Sequence, residues 1–140
     1  MKVIILLLIW TMSSCLSDNN TISCDKKNAI QKCLNYLSTE DKKYKNITII
    51  NSNETKNMKL FWKGIPVSFE ENDLSSIRDL VQTGKLYFLV DRVTCNADKT
   101  RISLVCINAN LRYEFELYKS NGKKETIRIA QEIDDALPFR

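Results

Sequence analysis

The chain has 140 residues, room for one ordinary domain with a modest core, and its 21 basic and 17 acidic side chains leave a net charge of +4. That charge is weak and dispersed, which argues against a nucleic-acid partner, because such binders gather cations on one face. With no histidine and only three glycines, the sequence offers no histidine base or triad and no glycine-rich phosphate loop.

The N-terminal stretch "MKVIILLLIWTMSSCLSDNN" has a cation at Lys2, an apolar run from Val3 to Met12, then small residues. An apolar run this short cannot span a bilayer, and the pattern is that of a secretory signal peptide. We take residues 1–17 as the signal, with Ser17 the last residue removed, and 18–140 as a single secreted domain. A rival reading takes "MSSC" as a lipobox that makes Cys15 a lipidated N-terminus. No second apolar run follows, so no membrane span is expected.

Removal of the signal leaves Cys24, Cys33, Cys95 and Cys106. Four cysteines in a short secreted chain imply two disulfides, with three pairings open. Their spacings suit no zinc ribbon or finger, so no metal is expected. Sequons at Asn19, Asn46 and Asn53 permit N-glycosylation. Asn53 lies in the loop-like "NSNETKN" and is the best acceptor of the three.

In "SCDKKNAIQKCLNYLSTEDKK", Ala29, Ile30, Cys33, Leu34 and Leu37 recur at helical spacing. This predicts a helix over 25–42 with Ser23 or Asp25 as cap. "KNITIIN" reads as a short strand, and "MKLFWKGIPV" as a strand to Gly64, with Pro66 demoting the rest to an edge. "ENDLSSIRDLVQTG" predicts a second helix, capped by Asp73, with Leu74, Ile77, Leu80 and Val81 as its stripe. From Lys85 the text is β: "KLYFLVDRV", "RISLVCIN", "LRYEFELY" and "ETIRIA". Leu111, Tyr113, Phe115 and Leu117 alternate with Arg112, Glu114, Glu116 and Tyr118, the mark of a half-buried strand. A three-residue loop "SNG" would place Glu114 opposite Arg128.

Around the turn "ADKT", a four-residue loop sets Cys95 opposite Ile102. Leu89, Val93, Cys95, Ile102, Leu104 and Cys106 then share a face, and Cys106 lies opposite Asp91. The two cysteines are then separated by about 13 Å at about 3.3 Å per residue, too far for a bond to each other. Cys24 and Cys33 are about 13.5 Å apart on a helix at 1.5 Å per residue, a matching offset. The expectation is two cross-links stapling the first helix to the sheet, with the partners left open. Cys24, nearest the free end, is also the cysteine best placed to link two chains as a disulfide-bonded dimer.

The fold class is therefore α+β: an antiparallel C-terminal meander with one or two packed helices, disulfide-stapled. Glu114 and Glu116 share a strand face and are the one carboxylate pair in view. With Arg112 and Arg128 among them, a solvated strand face is the better reading than an acid–base site. No enzyme activity and no cofactor are expected.

"GKLYFLVDRVTC" resembles the strand and first cysteine that follow the inhibitory loop of cystatins, as does the order of helix then antiparallel sheet. This implies a cystatin-like inhibitor of papain-type cysteine proteases. In "LVQTG", however, Leu80 stands at the glutamine position of the family's Q-x-V-x-G loop, and no Pro-Trp hairpin follows. "MKLFWKGIPVSFEE" and "RVTCNADKTRISLVC" resemble the tryptophan strand and second-cysteine region of interleukin-18-binding proteins. That resemblance implies the alternative fold, an immunoglobulin-like β-sandwich, and ligand contact through Phe61, Trp62 and Phe69. It lacks a cysteine in "NITIIN", where the first sandwich cysteine belongs. The leading expectation is a secreted binding protein that captures an extracellular protein ligand, such as a host cytokine or other immune mediator.

Overall fold

A computed structural model describes residues 24–71, 85–119 and 125–133. The expected signal peptide, Asn19, the second helix with its "LVQTG" segment, and the "SNG" loop lie outside the described residues. The architecture is α+β: helix α1 (Lys26–Glu40) lies against a six-stranded, mostly antiparallel sheet. The strands are β1 (Ile47–Ile50), β2 (Phe61–Trp62), β3 (Ile65–Pro66), β4 (Ser68–Glu70), β5 (Leu86–Cys95), β6 (Lys99–Cys106), β7 (Leu111–Lys119) and β8 (Glu125–Ile133). Their order in the sheet is β4-β1-β5-β6-β7-β8, and β2 and β3 form a separate hairpin. No helix among the described residues is long and apolar enough to cross a membrane.

Helix α1 starts where the Asp25 side chain accepts a hydrogen bond from Asn28 N–H at 2.9 Å, satisfying an otherwise unpaired first-turn donor. Ala29, Ile30, Cys33, Leu34 and Leu37 are its buried residues, as their spacing predicts. They meet Trp62, Ile49, Phe88, Val90, Ile102, Leu104 and Phe115 in one core. Each fully buried large side chain of this kind contributes about 1.5–3 kcal/mol. The helix is also pinned at its flanks: Lys32 pairs with Glu125 on β8, and the Tyr36 ring meets Phe115 edge-on at 6.3 Å.

β5 to β8 form the expected antiparallel meander. β1 was legible as a strand, but not its place: it is internal and runs parallel to both β4 and β5. All four of its residues are buried, and the unbroken "ITII" fits a strand covered on both faces. One sheet with a helix on it is not two facing sheets, so the immunoglobulin-like alternative is overturned.

The two register expectations change as well. Asn96 N–H donates to the Lys99 carbonyl at 2.8 Å, closing a tight turn at Ala97–Asp98, so Cys95 pairs with Thr100 and Cys106 with Phe88. A β-bulge between Val90 and Arg92 leaves Asp91 without a partner on β6. The extra residue flips the alternation, so Phe88 and Val90 share the core face with Val93 and Cys95. Leu89, expected on that face, packs instead with Ile50, Tyr87 and Ile107 on the other side. On β7 and β8 the last pair is Lys119 with Glu125, which leaves a longer connection than "SNG". Glu114 consequently faces Ala130, and Arg128 faces Glu116.

Cys24 and Cys95 form a disulfide, their Cα atoms 5.9 Å apart, which staples the helix entrance to the end of β5. Cys95 and Cys106 are not bonded to each other, as expected. The second expected cross-link is corrected: Cys33 and Cys106 are buried free thiols. The tighter turn explains why. Thr100, opposite Cys95, is six residues from Cys106, about 20 Å of strand. The helix covers only about 13.5 Å from Cys24 to Cys33, so the second pair falls out of step. Cys24 is occupied within its own chain, which removes it as a link between two chains.

Candidate binding surface

The hairpin β2–β3 is where the chain presents apolar side chains on a rigid frame. Its two-residue turn is Lys63-Gly64, with φ of 50° and 78°. Two left-handed residues in succession make the turn whose twist suits a tight hairpin. Lys63 carries the cost of that conformation with its side chain anchored: Nζ donates to the Tyr44 carbonyl at 2.8 Å, pairs with Asp41 at 3.4 Å, and lies 5.7 Å from the centre of the Trp62 ring.

Of the three aromatic residues singled out from the sequence, the structure separates the roles. Trp62 is fully buried, its ring 5.9 Å from that of Phe88 and its indole N–H donating to the Tyr44 carbonyl at 3.1 Å. It is the anchor of the hairpin and presents no surface to a ligand. Phe69, on β4 beside Ile49, is half-buried against the core. Only Phe61 faces solvent, with 43% of its surface exposed. Pro66, exposed and paired with Phe61, shares its face, whereas Ile65, equally exposed at 43%, pairs with Trp62 and lies on the other face of the hairpin. Sequence reasoning missed Ile65 and Pro66 because strands of two residues show no periodicity.

Phe61 is fixed from below by the helix. Gln31 Nε2 donates to the Phe61 carbonyl and Gln31 Oε1 accepts from the Phe61 N–H, both at 2.8 Å. The side-chain amide thereby replaces a neighbouring strand. Beside the hairpin, Lys43 stacks over Tyr44 with its Nζ 5.1 Å from the ring centre. Phe61 and Pro66 thus form an exposed apolar pair, and Lys43 and Lys63 gather at Tyr44.

A second concavity lies on the sheet face away from the helix, about 410 Å³ and lined by Arg92, Thr94, Arg101, Ser103, Glu114 and Glu116 among others. Glu116 accepts from Arg101 Nε at 2.8 Å and from Lys99 Nζ at 3.3 Å, and these bonds, Arg101 first, hold its carboxyl below the usual carboxylate range. Glu114 lies 4.0 Å from Arg112, whose Nη1 donates to Asp91 at 2.7 Å. Both carboxylates sit in a network of ion pairs, and Glu116, held ionised in this way, does not serve as a proton donor near neutral pH.

The two free thiols are sealed. Burial pushes the Cys33 thiol up to about 12, and burial likewise raises Cys106. Neutral buried thiols are poor nucleophiles and poor metal ligands. No group of three or more potential metal ligands occurs among the described residues.

The two described sequons are both exposed at their asparagines. Asn46 opens β1, its Oδ1 accepting from Ile47 N–H at 2.8 Å. Asn53 tops the turn that follows β1, where Thr55 is fully buried and its hydroxyl accepts from Ser52 N–H at 3.1 Å. Compared with protein families, curated proteins and solved structures, the chain matches none.

Proposed function

We propose that this chain is a secreted, non-enzymatic binding protein that sequesters an extracellular protein ligand, a host cytokine or other immune mediator being the class in view. The observation that carries this reading is the exposed Phe61–Pro66 pair on a hairpin held by Trp62 and Gln31. A pre-ordered apolar patch loses little entropy on binding, so its contacts go largely into affinity. The signal-like N-terminus and the Cys24–Cys95 bond support an oxidising, extracellular setting. The cation at Lys43, over the Tyr44 ring, favours an acidic group on the partner.

The test is capture from serum and cytokine-rich supernatant by the oxidised, glycosylated protein, with mass spectrometry of what is retained. The same capture is run with Phe61→Asp, which alters an exposed side chain and leaves the core intact. The reading requires one cytokine or chemokine, enriched reproducibly, bound directly by the purified protein, and lost with Phe61→Asp. Retention of papain-type proteases instead would select the cystatin-like inhibitor. Equal retention by both proteins would move the site away from the hairpin.

A further inference from the structure

The two edges of the main sheet are unequal. β4 is three residues long, whereas β8 runs nine residues without proline and, among the described residues, pairs through β7 alone. A long regular edge offers unpaired backbone donors and acceptors to another strand. From the side chains on β8, we propose that this edge pairs with β8 of a second copy of the same chain, antiparallel and centred on Ala130. The two sheets then become one continuous twelve-stranded sheet.

The charges select this register. A two-fold axis at Ala130 places Arg128 opposite the partner's Glu132, and by symmetry the same pair forms again. Within one chain, Arg101 faces Glu116 and Glu116 faces Arg128. Arg112 faces Glu132. The row across the joined sheet therefore runs Arg101, Glu116, Arg128, the partner's Glu132, the partner's Arg112, alternating in sign throughout. Directly opposed opposite charges stabilise a sheet and like charges destabilise it. Among the described residues Arg128 makes no ion pair: Glu116 is held by Arg101 and Lys99, and the Arg128 guanidinium lies over the Tyr118 ring, 5.1 Å from its centre. Among the described residues Glu132 makes no ion pair either, the Arg112 guanidinium opposite it being turned to Asp91 and Ser103.

The other face gives the same answer. The axis sets Ile127 opposite the partner's Ile133. Ile133 is the most exposed large apolar residue described, at 69%, and Ile127 packs at the margin of the core. Joined, they extend the apolar row that Leu117 and Ile127 begin. Ala130, exposed and small, meets its own copy at the axis, where opposed Cβ atoms approach to about 5 Å. Moving the axis to Ile129 would set Arg128 against Ala130 and Glu125 against Ile133, losing both matches. A one-strand interface is small, so the dimer is expected to be weak and concentration-dependent.

Sedimentation equilibrium of the oxidised protein tests this, using Arg128→Glu, Glu132→Arg and the double variant, with circular dichroism to check folding. The expected result is a reversible dimer whose association weakens about ten-fold or more in each single variant and returns in the double one. A monomer up to millimolar concentration would overturn the proposal. A dimer indifferent to the single changes, or one that the double change fails to restore, would also overturn it.

Discussion

Gln31 and Phe61, thirty positions apart in sequence, are joined by a matched pair of 2.8 Å hydrogen bonds in which the glutamine amide acts as a strand for the Phe61 backbone. This pair holds the hairpin, and with it the exposed patch, in register with the helix. Gln31→Ala should therefore cost about 1–2 kcal/mol and speed amide exchange at Phe61 while leaving exchange in β6 and β7 unchanged. Exchange at Phe61 as slow as in the parent protein would show that the clamp adds nothing.

The Cys24–Cys95 bond closes a loop of sequence separation 71. Replacing both cysteines by serine should cost about 4 kcal/mol on the chain-entropy account. Thermal or urea unfolding of the oxidised protein against the double variant measures it, and equal midpoints would refute the assignment.

Thiol reactivity separates one bond from two. Cys33 and Cys106 are buried free thiols. A thiol reagent should label neither while the protein is folded and both once it is unfolded without reductant. Peptide mapping should place the labels at Cys33 and Cys106. An unfolded, unreduced protein that takes up no label would contain the second cross-link.

Stability should fall in alkali. Cys33 has its thiol raised from 9.0 to about 12 by burial, and burial also raises Cys106 and Tyr113. Above about pH 9 the unfolded chain releases protons that the folded chain retains, so the slope of stability with pH is negative. The contribution is complete below the unfolded value and is lost as pH climbs through the folded one. Cys33→Ala should lower the melting temperature near neutral pH by leaving a cavity, yet decline less steeply between about pH 9 and 11. Parallel curves for the two proteins would contradict this.

The turn at Asn53 gives a further comparison. Asn53 is exposed and Thr55 fully buried in hydrogen bonds to Ser52. In a glycosylating host, Asn53→Gln should remove one glycan mass and leave the melting temperature of the deglycosylated protein unchanged. Thr55→Ala should remove the same mass and also cost about 1 kcal/mol or more. Intact mass and calorimetry read both.

The sequence by itself determined what short-range periodicity can encode. The helical stripe from Ala29 to Leu37 and the alternation of Leu111 to Leu117 each say which side of an element is apolar, and both sides face the core, with Leu111 and Tyr113 only partly buried. The separation of Cys95 from Cys106 followed from strand rise alone. Tertiary structure decided the neighbours. "ITII" carries no mark of its parallel pairing with β4 and β5, and the bulge at Asp91 moved Leu89 to the other face by one residue. Phe61, Trp62 and Phe69 are alike as sequence, but one is exposed, one buried and one between, because the hairpin points Phe61 and Trp62 to opposite faces and Phe69 lies on β4 beside β1. Side-chain pattern reports the polarity of a surface; which surface covers it is set by contacts between distant residues.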